Sequence, residues 1–256
     1  MYTKQDLIAH LSDLRIDPAG TLMVHISCRA VGEVEGRGDT ILDALSEYMR
    51  PGLLVLPSHT WDIVNAAPWT KFSQSNPVMD VLHTPSNVGV LTEIFRKRPG
   101  VLRSLHPTHS LAALGVDAGA FLSGEEHIQT PCGMGGAYYR LWARGAQILL
   151  IGVSFIRNTY IHGIEEWDGA QGTLSPEKTD LYVINYEGYR LHTPQRRHIA
   201  RLGSETFSKL EPEAQQQGVL TLGRFGDATA RVMGARPLRA MVAAILKEDP
   251  LYLSKY

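Results

Sequence analysis

The sequence predicts an α/β protein built on a mixed sheet, from three observations. Short apolar runs of strand length ("GTLMVHIS", "GLLVLPS", "HSLAALG", "AQILLIGVS") alternate with segments whose apolar residues recur at helical spacing. This interleaving runs to about residue 155, and no linker or internal repeat divides the chain, so one domain is expected. Beyond that point "TDLYVINYEGYRLHT" alternates about a central Glu-Gly and predicts a hairpin, which makes the sheet mixed rather than all parallel.

The elements follow in order. "YTKQDLIAHLSDLRI" is a helix, with Thr3 as N-cap and Asp6 three residues on to complete a capping box. A strand through "GTLMVHIS" leads by a glycine-bearing loop into the helix "RGDTILDALSEYM", with Asp39 or Thr40 near its start and Arg-Pro-Gly after its end. "GLLVLPS" is a buried strand. The polar stretch from Trp61 to Asp80 has no clean period and holds Pro68 and Pro77, so it reads as a long functional loop or lid. "TPSNVGVLTEIFRKRPG" is a helix that opens on Thr84 and Pro85 and stops at Pro-Gly. "AGAFLSGEE" and "GAYYRLWARG" are short helices between the next two strands, and "PLRAMVAAILKEDP" closes the chain as a helix.

Composition narrows the function. The chain has 256 residues, 44% hydrophobic and 20% charged, which suits a globular domain with a large core. Cys28 and Cys132 are far apart and belong to no Cys/His cluster, which argues against a disulfide framework or structural zinc and fits a reducing cytoplasm. The N-terminus has no apolar leader and no apolar run is long enough to span a membrane. The formal net charge is −1 without a basic track; "GYRLHTPQRRHIARLG" reads as a solvated helix face, so nucleic acid is not expected as a partner.

Three stretches carry chemistry. In "HISCRAVGEVEGRGDTIL" a strand ends at Ser27 and Gly32, Gly36 and Gly38 lead into a helix. Glycines admit a close ligand and the helix N-terminus favours anions, with Arg29 and Arg37 available to phosphate. The spacing matches neither a P-loop nor a dinucleotide fingerprint, and an ordinary turn fits the same residues. In "RSLHPTHSLAALG", Ser104, His106, Thr108, His109 and Ser110 gather just before a strand; on this segment alone a tight, hydrogen-bonded strand entry fits them better than a site does. In "RNTYIHGIEEWD", a polar turn follows an apolar strand, and His162 and Glu165 lie three apart on one helix face. That is an arrangement for a general base, with the carboxylate fixing the tautomer and stabilising imidazolium. A helix beginning with acidic residues and a satisfied histidine fits equally well.

Taken together, "VHISCRAVGEVEGRGDTILDAL", the stretch containing RSxHPxxS, the stretch containing HxxE, and more loosely "FGDATARVMGARPLRAMVAAILKEDP" resemble the aminoglycoside 3-N-acetyltransferase family over nearly the whole chain. The resemblance implies a three-layer α/β/α domain around a central mixed sheet, and acetyl transfer from acetyl-CoA to a primary amine, the 3-amino group of an aminoglycoside. It implies that Ser27, Arg29, Val31 and Gly32 line the coenzyme A channel, and that Ser104, His106 and Ser110 sit by the pantetheine and thioester. His162 would be the base and Glu165 its partner. Glu166, Asp168 and Asp62 would meet the cationic acceptor, no metal would be required, and a homodimer is a family-level expectation. The chain departs from the family pattern at Ile26, at Cys28 and across "DGAQGTLS" (168–175), which bears on the acceptor more than on the fold. Two rival readings remain open: a metal-dependent hydrolase using His106, His109, His162 and Glu165, and a binding protein that keeps the coenzyme A loop without turnover.

Overall fold

A computed structural model describes residues 1–63, 77–199 and 203–255, with the side chain of Asp62 outside the described set. The expected lid falls largely on residues 64–76, which also lie outside it. In chain order the elements are α1 (Lys4–Asp13), β1 (Thr21–Ile26), α2 (Arg37–Tyr48), β2 (Leu53–Pro57), β3 (Val78–Asp80), α3 (Val90–Phe95), β4 (Leu102–Arg103), β5 (Leu111–Gly115) and α4 (Ala118–Leu122). There follow α5 (Ala137–Arg144), β6 (Gln147–Ile151), α6 (Tyr160–Trp167), β7 (Tyr182–Ile184), β8 (Arg190–His192), α7 (Leu210–Gln216), β9 (Leu220–Phe225), β10 (Ala228–Gly234) and α8 (Ala235–Glu248).

The main sheet has the order β4-β5-β2-β1-β6-β10-β9. Its centre, β2-β1-β6, is parallel, and both flanks are antiparallel. Buried strands with a period of two feed two cores. Met23, Leu53, Val55, Ile148 and Leu150 face the layer of α4 to α8, while Leu22, Val24, Leu54, Leu149 and Ile151 face α1 to α3. This is the three-layer α/β/α arrangement with a mixed sheet.

The Thr3/Asp6 capping box forms, with Thr3 Oγ1 accepting from the Asp6 amide and Asp6 Oδ2 from the Thr3 amide. Other expectations need correction. The sheet is mixed because β5 and the β9–β10 hairpin run against their neighbours; the expected hairpin, β7–β8, belongs instead to a separate three-stranded sheet with β3. β3 also ends the stretch expected to be loop, since it pairs in parallel with β7. The helix expected from Thr84 starts only at Val90, after Gly89 at φ 117°. The residues before it are held in turns: Thr84 Oγ1 accepts from the Asp80 amide, and the Asn87 amide donates to the His59 carbonyl. That second bond ties the α3 entry to the end of β2, beside the site.

Candidate active site

Strand β1 lies between β2 and β6 and is parallel to both. The chain therefore leaves the three strands at one edge, where connections to either side part and a crevice opens. A cleft of about 490 Å3 occupies that edge. His25 and Ser27 reach it from β1, Pro57 and His59 from β2, Val153, Arg157 and His162 from the segment after β6, and Gly89 and Thr92 from the start of α3. His109 and Trp61 line it too, and they also line a smaller pocket of about 210 Å3 with Thr108, Pro131, Arg196, Arg197 and His198.

Helix α6 delivers the expected pair. His162 and Glu165 are one turn apart, and His162 Nδ1 lies 2.7 Å from Glu165 Oε2. The carboxylate side chain is 3% exposed and the imidazole 15%. Burial holds the imidazole down to about 4 and pushes the Glu165 carboxyl up to about 8, because both charged forms lose water. At neutral pH His162 is thus an uncharged ring, and with Nδ1 turned to Glu165 its Nε2 is left for the cleft. Phe207 packs edge-on against the same ring at 4.7 Å and fixes its plane.

The neighbouring carboxylates have other partners. Glu166 Oε1 accepts from the Cys132 amide at 2.9 Å and lies 3.0 Å from His198 Nε2, while its buried Oε2 has no partner among the described residues. Asp168 receives two bonds from Arg239, at 2.8 and 2.9 Å, and Arg239 packs over Trp142 and Trp167. Asp168, expected to meet the acceptor, is held in this structure by that bidentate pair. The side chain of Asp62 lies outside the described residues.

The residues expected beside the thioester have partners within the protein. Ser104, His106 and Ser110 are fully buried and their polar atoms face the protein. Ser104 Oγ accepts from the Leu111 amide, and Ser110 Oγ donates to the Ser58 carbonyl while accepting from Arg103 Nε. His106 Nδ1 accepts from the amides of Thr108 and His109, which leaves Nε2 to donate to the Thr130 carbonyl at 3.0 Å. The tight turn into β5 leaves backbone groups unpaired, and these side chains satisfy them. From this loop it is His109 that reaches the cleft, with its ring 4.7 Å from that of His59.

In the first loop, Ser27 lines the cleft, whereas Val31 is in the core at 0% exposure and Arg29 is exposed beside it. Gly32 sits at φ 85°, and a Cβ there would lie 2.0 Å from Asp227 Oδ2. Its glycine is thus explained by packing against the β9–β10 turn. Sequence reasoning passed over Arg157, an exposed guanidinium on the cleft for which no ion pair forms among the described residues. It also missed His25, His59 and His198. A histidine directly after the apolar run "GLLVLPS" was the available signal for His59; His198 had none, because its role depends on a long-range contact. His25 Nε2 and His59 Nδ1 are buried without a partner among the described residues, while His59 Nε2 meets the Tyr138 hydroxyl at 2.7 Å.

An α/β sheet whose strand ends bring a carboxyl-backed imidazole to a cleft has the layout that acyl- and proton-transfer enzymes use. The family described as aminoglycoside 3-N-acetyltransferase matches residues 23–247, so the chain belongs to that family and is an acetyltransferase. Aminoglycoside N(3)-acetyltransferase VII of Streptomyces paromomycinus is 26% identical over 265 residues, covering 96% of this chain and 92% of the relative. Aminoglycoside N(3)-acetyltransferase IV of Salmonella sp is 28% identical, covering 98% and 89%. Among solved structures, aminoglycoside acetyltransferase AAC(3)-Xa superposes with a TM-score of 0.83 at 25% identity, covering 96% of this chain and 93% of that one. AAC-IIIb, solved as a binary complex with CoASH, shares the fold at a TM-score of 0.82 and 23% identity, covering 96% and 97%.

Proposed function

We propose that the cleft at the ends of β1, β2 and β6 transfers an acetyl group from acetyl-CoA to a primary amine, the 3-amino group of an aminoglycoside, with His162 as the base and Glu165 as the group that orients it. The observation that carries the reading is the 2.7 Å contact between His162 Nδ1 and Glu165 Oε2, on a ring that lines the cleft. The chain is read as one acetyltransferase domain, supported by the two cores that share the central sheet.

Attack on a thioester needs a neutral nitrogen, and the addition product must then lose a proton. His162 Nε2 accepts that proton, the Glu165 carboxylate stabilises the imidazolium, and the proton goes on to the departing sulfur, a contribution of about 10²–10⁴ in rate. Holding amine and thioester together in one cleft contributes through proximity. Ser27, at the end of β1, and Arg157, after β6, are the polar and cationic groups on the cleft suited to the coenzyme A moiety. The hydrolase alternative is less well supported, because both nitrogens of His106 engage backbone groups and each of Glu165 and Glu166 engages a histidine. Among the described residues no helix is long and apolar enough to cross a membrane.

The test is an amine panel with acetyl-CoA, following thiol release, and spanning aminoglycosides, simple amino sugars, polyamines and aryl amines. Turnover that requires both acetyl-CoA and an amino sugar supports the reading. Binding of acetyl-CoA with no turnover on any amine would reject it.

A further inference from the structure

Two adjacent carboxylates on α6 hold two different imidazoles. Glu165 engages His162 at 2.7 Å and Glu166 engages His198 at 3.0 Å. The two rings stack, with centroids 4.3 Å apart and an interplanar angle of 31°. His198 is held by its backbone as well: it forms a β-bridge with Leu174, and the preceding Arg197 amide donates to Ser175 Oγ at 2.9 Å. The carboxylates engage opposite ring nitrogens, Nδ1 in His162 and Nε2 in His198. Each ring therefore keeps one nitrogen that no carboxylate engages, Nε2 of His162 and Nδ1 of His198, and His162 lines the larger cleft while His198 lines the smaller pocket. The cleft and the pocket share Trp61 and His109.

The reaction has a matching stoichiometry. An acceptor amine arrives as an ammonium ion and loses two protons on its way to an amide. One proton leaves before attack, and the second leaves the nitrogen once the C–N bond has formed. A single imidazole between bound substrates would have to discharge the first proton before it could take the second.

We infer that His198, held by Glu166, is the second proton acceptor of the site. It takes the first proton from the acceptor ammonium in the smaller pocket and passes it to solvent, and His162 takes the second and delivers it to the thiolate. This rests on the acetyl-transfer reading above. In balance, the ammonium gives a proton to His198, the amine nitrogen bonds to the acetyl carbon, and the carbon–sulfur bond breaks. The nitrogen's second proton passes through His162 to sulfur, giving amide, coenzyme A thiol and one released proton. The groups that face His198 set the order of events. His162 lies against it, His109 lies 5.5 Å from it, Glu165 and Glu166 lie behind it, and Arg196 and Arg197 flank the pocket. Two imidazolium ions at stacking distance repel each other, so the proton on His198 must leave before His162 accepts its own.

The test separates proton removal from mere packing by varying the acceptor. In His198→Gln, kcat/KM for an alkyl ammonium acceptor such as an aminoglycoside should fall about 100-fold. For an aryl amine or O-alkyl hydroxylamine, whose nitrogen is already neutral at pH 7, it should change less than about threefold. The variant's rate on the ammonium acceptor should also climb more steeply with pH than the wild type's, as solvent supplies the neutral amine. Equal losses on both acceptor types, no loss on either, or an unchanged pH slope would overturn the inference. His162→Ala should lose both acceptor types; if it does not, the acetyl-transfer reading itself fails, which is a separate result.

Discussion

Replacing Glu165 with Gln leaves the shape of the site nearly intact and removes the ionisable carboxyl behind His162. The size of the effect follows from the pair's environment. The contact is 2.7 Å, with the carboxylate 3% and the imidazole 15% exposed. When His162 takes the nitrogen's proton it becomes a cation in a cavity that holds its pKa to about 4 instead of 6.5. That drop corresponds to about 3 kcal/mol against the charged ring, at about 1.4 kcal/mol per pKa unit. Glu165 gives up its own proton only near pH 8, and once ionised it lies 2.7 Å from Nδ1 and offsets part of that cost. Gln still accepts a hydrogen bond from Nδ1–H but carries no charge. The expected result is a fall in kcat of about 10²–10³, with KM for acetyl-CoA and amine within about threefold. A kcat within about threefold of the wild type would show that His162 does not depend on the Glu165 carboxyl. The pair also sets the pH profile. Glu165 is pushed up to about 8, so raising the pH removes the proton shared with His162 and leaves a competent base. Wild-type kcat should rise through neutral pH, and Glu165→Gln should lose that rise.

Three further outcomes follow. Burial lowers the pKa of His25, His59, His106, His109, His162 and His198, so below pH 6.5 the unfolded chain binds more protons at these positions, and stability should fall as pH drops toward about 4. Glu125 and Glu165, raised to about 7 and about 8, oppose this in the same window but are outnumbered, so thermal denaturation should show a steep loss of Tm between pH 7 and pH 5; a flat profile would contradict the burial of these rings. Asp168→Ala breaks the bidentate pair with Arg239 away from the cleft, so chemical denaturation should show a loss of about 1–3 kcal/mol while KM for the amine stays unchanged; a raised KM with intact stability would return Asp168 to the acceptor site. The described side chains of the smaller pocket bring Arg196 and Arg197 and no carboxylate, so added salt should lower KM for a multiply charged aminoglycoside, and Arg197→Glu should lower it further at low salt; the opposite salt response would show an acidic acceptor site.

Much of the fold was legible because it depends on local pattern. The apolar runs that became β1, β2, β5 and β6 are continuous and bounded by turn residues, and Tyr160–Trp167 is a helix at the residues its spacing indicated. The β9–β10 hairpin was passed over although Gly226-Asp227 stands between its strands, a two-residue turn signal among glycines and arginines that dilute the alternation. The Thr84 helix start failed because a favourable cap residue was taken by a turn tied to the end of β2. In the site, His162 and Glu165 could be found because three residues on a helix bring them together without tertiary information. Glu166, Asp168, Ser104, His106 and Ser110 could not be sorted that way. Whether a polar side chain faces a ligand or a buried backbone group depends on partners such as Arg239, Thr130 and Ser58, which are distant in sequence. The second imidazole, His198, lies 32 residues from its carboxylate and carried no local mark.

Acetyl transfer in this cleft depends most on one proton leaving the acceptor nitrogen for His162. Its most direct test measures His162→Ala twice on the same preparation: kcat by thiol release with saturating acetyl-CoA and an amine the wild type acetylates, and acetyl-CoA affinity by calorimetry. With His162 as the base, kcat should fall by at least about 100-fold and the affinity should stay within about threefold. A variant that turns over at the wild-type rate would contradict that role.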